Sequence, residues 1–457
     1  MSETPIELAE RVLGLLPGHD AQVTVTQERS LLSRFARSAP TQATEVADTG
    51  VELVVVRDGH VGSASTNRLD DEGLRAAAAQ AILAATALAA AGPGEYPGLP
   101  GPAPYRSHDG WDARTAALDP EPAGAALADA FAVTAEAGQE AFGVWTAGEV
   151  VTAVASSNGI RAQDRVTDGF MKVMARTPGA RTGLASYAST ASTGIDGGAL
   201  ARQAVAKVGD PAAAPLDLPT GAYPVVLAPE AVGLLLEFLG MLAFNGQLHA
   251  EGRGALSGRL GTKVAAPSIN LADSPRFPRT LPRSFDAEGV PKGPLPLLQD
   301  GVAHRICHDT RSAAEAGDGT VSTGHALTPG GGGYGPVPTN LVLAGGGAAS
   351  EAELCAPIER GIYVTRLWYV NVVHPSQTLL TGMTRDGTFL IEDGKVTRPL
   401  RDVRFTDSVL RLLEHTEALT AEQRLVTEAE YYGRRFANGV VTPAIRARDF
   451  RITGGAD

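Results

Sequence analysis

The chain has 457 residues, 44% hydrophobic and 20% charged, which is enough for more than one core and too apolar for a disordered chain. Its 39 Lys and Arg are outnumbered by 51 Asp and Glu, for a formal net charge of −12, and no basic run carries interleaved aromatics. That balance excludes nucleic acid as a natural first partner.

Cys307 and Cys355 are the only cysteines, too few for a disulfide framework. The opening MSETPIELAERVLGLLPGHD lacks the basic n-region of a signal peptide, and no stretch reaches the ~18 uninterrupted apolar residues of a membrane span. A cytoplasmic location with no membrane contact is therefore expected.

In chain order, residues 5–16 read as a helix capped by Thr4 and stopped by Pro17-Gly18. Residues 21–29 alternate as a strand. VELVVVR (51–57) is a buried strand that returns as 60–65 through the hairpin turn Asp58-Gly59. Asn67 or Asp70 caps a helix to about residue 90, its first turn holding Asp70, Asp71 and Glu72 where the macrodipole favours acids. The Gly/Pro-rich 92–110 cannot be regular and reads as a linker. A helix at 120–138 precedes a meander of 142–156, 160–166 and 170–176, with turns predicted at Asn158-Gly159 and Asp168-Gly169. A helix covers 199–208, and the Pro/Ala-rich 210–221 marks a boundary.

The second half reads differently. A short strand (223–227) leads into an apolar helix (231–244), then into short strand-like pieces at 268–271, 341–343, 362–373 and 388–391. Glu392-Asp393-Gly394 forms a hairpin turn, 403–419 reads as helix, and 440–452 reads as a closing strand. The fold class is α+β: an N-terminal α/β region with antiparallel strands, and a β-rich C-terminal domain with a central apolar helix. The expected division is 1–92, a linker at 93–110, a middle α+β region at 111–215 and the C-terminal domain at 216–457.

Few residues announce chemistry. No nucleophile elbow, P-loop or dinucleotide fingerprint occurs, and GGGGYG (330–335) lacks the Lys-Ser/Thr of a phosphate loop, so it reads as a flexible loop. His304, Cys307 and His308 form the most metal-like cluster. A strand there would put the two histidines on one face and Cys307 on the other, and no fourth ligand is near, so ordinary surface and core roles are favoured. His249 and His374 sit near turns and read as loop histidines. In AVGLLLEFLGM (231–241) a single acid, Glu237, interrupts an otherwise apolar helix. It either reaches solvent at the helix edge or carries a role.

The chain resembles the TldD/PmbA family of bacterial peptidase subunits over nearly its full length. The resemblance rests on 47–74 (ADTGVELVVVRDGHVGSASTNRLDDEGL), SFDAEGVPKGPLPLLQDGVAHRICHDTRSA (284–313), STGHA (322–326) and, most specifically, ERGIYVTRLWYVNVVHPSQTLLTGMTRDGTFLIEDGKV (359–396). In the metal-binding members the helix after the linker carries His-Glu-x-x-x-His, and a Cys near the C-terminus completes a zinc site. Laid on that motif, this chain has Leu236 and Met241 at the two His positions and Glu237 at the Glu, and 431–444 contains no Cys. His308 stands where relatives are expected to have Asp or Asn.

The resemblance therefore implies a TldE/PmbA-like subunit with no metal or cofactor of its own and no catalytic residue. Glu237 is then a vestige, and zinc is expected in a TldD-like partner with which the chain forms a heterodimer acting on unfolded or modified peptides. Arg366, Trp368, Tyr369, Asn371, Met383, Thr384, Arg385 and Asp386 are the candidates for peptide binding or for the subunit interface. Two alternatives stay open. One is a peptide-binding adaptor without a proteolytic partner, in line with the family's link to a topoisomerase-targeting toxin. The other is a homodimeric peptidase with an atypical metal site.

Overall fold

The computed structural model describes residues 3–427 and 434–455. Helix α1 (Pro5–Leu13) begins in a reciprocal capping box, in which Thr4 accepts from the Glu7 amide while Glu7 accepts from the Thr4 amide. Strands β1 (Asp20–Ala36), β2 (Ala39–Arg57) and β3 (His60–Thr66) follow, the last two joined at Asp58-Gly59, where both residues have positive φ. Helix α2 (Asp71–Ala89) is capped by Asp70 and lies close on this sheet. A Cβ on Gly62 of β3 would stand 2.1 Å from the Ala85 nitrogen, which explains why α2 buries alanines (Ala77, Ala78, Ala81, Ala85) and little that is larger.

After 93–110, which has no regular structure, come α3 (Ala113–Ala116), α4 (Glu121–Glu136), β4 (Glu140–Ser156), β5 (Arg161–Arg176), β6 (Thr182–Ser189) and α5 (Gly197–Val208). These strands join the first three in one antiparallel sheet of order β3-β2-β1-β4-β5-β6. The segments 1–92 and 111–215 thus build one body, held by β1 on β4 from Gln22↔Ser156 to Phe35↔Gly143. The turn expected at Asp168-Gly169 does not form, because β5 runs through it, paired to β4 throughout. Gly169 is needed instead for close approach: a Cβ there would meet Ser192 Cα at 2.4 Å. Asp168 is turned to an internal cation described below.

The C-terminal half opens with β7 (Gly221–Leu227), α6 (Pro229–Ala243) and α7 (Gly246–Ala250). Next come β8 (Leu271–Asp273), β9 (Leu295–Gln299), β10 (Val302–Ala303), α8 (Thr310–Ala316), β11 (Asn340–Leu343) and α9 (Glu351–Cys355). The chain continues through β12 (Arg360–His374), β13 (Leu379–Glu392), β14 (Lys395–Pro399), β15 (Val403–Ser408), α10 (Val409–Glu414) and β16 (Thr416–Leu419). Strands β17 (Arg424–Val426), β18 (Gly439–Thr442) and β19 (Ile445–Gly455) finish it.

One sheet has the order β10-β9-β8-β11-β18-β17. In the other, the path β12-β7-β19-β15-β13 is closed into a ring by the β12–β13 pairing. Closure removes edges that would otherwise seek partners. Helix α6 runs through the largest apolar core, between these sheets.

Three expected elements differ. The stretch 403–419 is not one helix: VRFTDS alternates with period two and pairs with β13 and β19, and Ser408 then caps the short α10. The closing strand 440–452 is split at Pro443-Ala444 into β18 and β19, which belong to different sheets. The piece expected at 268–271 forms at Leu271–Asp273. No helix among the described residues is long and apolar enough to cross a membrane.

Candidate functional site

Helix α6 has Pro229 at its first position and Glu230 in its first turn, the latter paired with Lys207 at 3.1 Å. Leu236 is 1% exposed and belongs to the apolar core, Glu237 is partly buried, and Met241 is 40% exposed. Gly240 gives room to Pro338, whose Cγ would lie 2.9 Å from an added Cβ. Leu236 therefore offers hydrocarbon, and Met241 offers a thioether, a weak ligand. Zinc requires three or four imidazole, thiolate or carboxylate donors, and these positions do not fit it. Among the described residues no group of three or more His, Cys, Asp and Glu could hold a metal. Of the 431–444 stretch, 431–433 lie outside the described residues.

The 304–308 segment forms no helix, and it separates its three candidates. His304 is exposed. Cys307 is fully buried and its thiol is pushed up, first by burial and then by Asp273. His308 is buried, its Nδ1 3.3 Å from Ser312 Oγ, and its pKa is lowered by burial. Gly246 at the start of α7 makes this packing possible, since a Cβ there would meet the Cys307 oxygen at 2.3 Å. His249 on α7 is held down by burial, while His374 is exposed beside Ser376.

The candidates on β12 and β13 divide in two. Arg366 and Asp386 form an internal ion pair at 2.8 Å, with Thr182 donating to Asp386 at 2.7 Å. Thr384 is also inside and accepts from the Val403 amide at 3.0 Å. Trp368, Tyr369, Asn371 and Arg385 remain at the surface, and Met383 is half-buried. Arg366 and Arg385 both approach the Trp368 ring, at 4.8 and 5.2 Å. Beyond Trp368, Val372 and Val373 are exposed as well, and β12 pairs with β7 only over Ile362–Val364. This end of the hairpin is apolar, aromatic and open on one side.

The most organised polar region is one that sequence reasoning passed over. It is built by the 284–293 loop and the STGHA segment, which meet beneath the N-terminal sheet. Asp273, 0% exposed, lies 3.3 Å from both Lys292 Nζ and His325 Nε2 and accepts from the Asn340 amide at 2.8 Å. Lys292 and these partners hold its carboxyl well below the usual range against the opposing effect of burial. Lys292 also donates to the Gly324 carbonyl.

Next to it, Asp286 accepts from the Glu288, Val290 and Ala326 amides. Glu288 accepts from Thr310, from the Tyr96 hydroxyl and from the Gly330 amide. The glycine-rich 330–335 loop and the 93–110 stretch are thereby tied to the body. No spacing rule would have found this network. Its one signal was the concentration of family-like blocks at 284–313 and 322–326.

Burial and the neighbouring Glu288 push Asp286 up to about 7. Its folded value lies above its ordinary one, so its contribution to stability is full in acid, below about pH 4, and is lost as pH rises through about 7. Denaturant titrations of Asp286→Asn are expected to show a flatter decline of stability over that window than wild type. An unchanged pH slope would refute the assignment.

Helix α6 thus sits in the central apolar core of an α+β body and brings neither imidazole nor thiolate to it. Residues 220–454 match the PmbA/TldA metallopeptidase C-terminal domain, and residues 21–85 match PmbA/TldA metallopeptidase domain 1. The chain belongs to the TldD/PmbA family. The solved structure of TldE from Thermococcus kodakarensis superimposes with a TM-score of 0.84, covering 98% of this chain and 99% of that one; at 21% identity this is a likeness of fold.

Among curated relatives, a metalloprotease of Methanothermobacter thermautotrophicus is 26% identical over 52% of this chain and 51% of its own length. A metalloprotease TldD homolog of Haemophilus influenzae is 24% identical over 52% and 49%. The chain thus spans about half the length of the curated relatives it matches.

Proposed function

We propose that this chain is the metal-free partner subunit of a heterodimeric metallopeptidase, with zinc and hydrolysis supplied by a TldD-like chain and peptides as the substrate. One placement carries the reading: the family resemblance lays Leu236 and Met241 of α6 where a metal-gripping helix needs imidazoles. With neither, Glu237 has no activated water on which to act as a base. The fold likeness to TldE and the TldD homolog among its relatives support this assignment. The exposed end of β12, with Trp368, Tyr369, Val372 and Val373, is the surface assigned to the partner.

Co-expression with a TldD-like chain bearing His-Glu-x-x-x-His, followed by size analysis and peptide digestion, tests the reading. The pair is expected to assemble and cut peptides, with a chelator abolishing the activity. The isolated chain is expected to cut nothing and to contain no stoichiometric zinc. Trp368→Ala with Tyr369→Ser should weaken assembly by about tenfold or more, as loss of central aromatic anchors does. Chelator-sensitive cleavage by the isolated, metal-supplied chain would overturn the proposal.

A further inference from the structure

A cavity of about 260 Å³ lies between the N-terminal sheet and the loops of the C-terminal half. Its floor is the face of β1 and β4 carrying Thr24, Thr26, Thr152 and Val154; its other walls include Phe285, Leu327 and Phe436. Arg283 and Arg165 line it too.

Arg283 is an electrostatic anomaly. Its guanidinium carbon sits 3.6 Å over the Phe436 ring, and Nη2 donates to the Ala437 carbonyl at 3.3 Å. Its buried Nε has no acceptor, and among the described residues no carboxylate lies within 4.0 Å of the guanidinium. Burial lowers its pKa to about 10, and the one charge opposing that effect is Asp164. Asp164 is already engaged, 2.9 Å from His108 and accepting from the Ser284 amide and hydroxyl. A half-buried guanidinium whose Nε is shut from water is costly unless an anion meets it.

Arg165, exposed at the rim, stacks on Trp111 at 4.0 Å and also lacks a carboxylate partner among the described residues. The other cations facing the cavity are Lys292, spent on Asp273, Arg435, spent on Asp168, and the exposed Arg434. Of the facing acids, Glu52 and Asp286 are biased by burial toward their neutral forms.

We propose that this cavity is a carboxylate receptor that takes the C-terminal end of a short peptide, with Arg283 as the fork that grips the carboxylate and Arg165 guiding it at the rim. Arginine is suited to that role because its planar fork matches a carboxylate bidentately. Beside the charged groups just named, the walls hold valines, prolines, alanines and phenylalanines with threonine hydroxyls, so an apolar residue attached to the carboxylate finds surface that a bare phosphate would not use. The volume accommodates two or three small residues. The peptide identity of the ligand rests on the functional reading above; the anion site itself does not.

The test uses the isolated full-length chain, so its result is independent of whether a partner assembles or cuts. N-acetyl-trialanine with a free carboxylate, its C-terminal amide and inorganic phosphate are titrated by calorimetry and by Trp111 fluorescence. The free acid is expected to bind saturably and the amide about tenfold more weakly or worse, since a charge-assisted pair is lost. Arg283→Met should remove the preference for acid over amide, and Arg283→Lys should restore part of it. Arg165→Ala, a surface change that leaves the fold alone, should weaken the acid severalfold. Equal binding of acid and amide, or no saturable binding of the acid by wild type, overturns the site. Arg283-dependent phosphate binding as tight as that of the peptide acid overturns the peptide assignment.

Discussion

Replacing Asp168 with Ala is expected to destabilise the chain by about 3–5 kcal/mol, because it strands a buried guanidinium. The Asp168 and Arg435 side chains are 2% and 1% exposed. Arg435 Nε and Nη2 each reach the carboxylate at 2.7 Å in a bidentate fork, and Nη1 donates to the Thr146 hydroxyl at 2.9 Å. The Arg435 amide donates to Glu28 at 2.9 Å, so backbone and side chain together fasten the C-terminal half to β1, β4 and β5. Gly148 completes the arrangement: a Cβ there would stand 2.6 Å from Arg435 Nε. Urea denaturation checks the claim through a fall in midpoint. A loss under about 1 kcal/mol, the value typical of an exposed pair, would refute it.

The second large effect is at Asp273. Asp273→Asn keeps an acceptor for the Asn340 amide but removes the anion between Lys292 and His325, whose side chains are 1% and 0% exposed. A loss of about 3–5 kcal/mol is again expected. The double variant Asp273→Asn with Lys292→Met should recover part of that loss, since the second change removes the uncompensated cation. A double-mutant cycle with a coupling near zero would show that the two charges do not depend on each other.

How much of this was legible follows from the range of the interactions. The capping box at Thr4, the Asp58-Gly59 hairpin and the apolar α6 are written in neighbouring residues, and their physics is local. Asp168-Gly169 has the same dipeptide signature as a turn, yet it lies within a strand, because an arginine 267 residues away claims the aspartate. The stretch 403–419 misled for a related reason: VRFTDS follows the period of a strand, but the Leu-rich VLRLLE beyond it dominates a longer window. Arg366, Thr384 and Asp386 were grouped with Trp368 and Arg385 by proximity along the chain. On β13 the pleat turns Thr384 and Asp386 inward and leaves Arg385 outside, whereas Arg366 shares a face with Trp368 and its cross-strand partner Arg385 and is covered because its guanidinium reaches Asp386. Asp273, Lys292 and His325 come from three separate loops or strand ends, so nothing in the order of residues joins them.

The bond between Arg435 and the first sheet also bears on the time at which each half matures. Glu28 and the arginine amide that satisfies it are 407 positions apart. On a ribosome adding about 5–20 residues per second, the sheet's strands can pair early, but its polar centre must wait some tens of seconds for its cation. Until then the Arg435 contacts to Asp168 and Glu28 are missing, so this tie between the two halves closes only when nearly all of the chain has emerged.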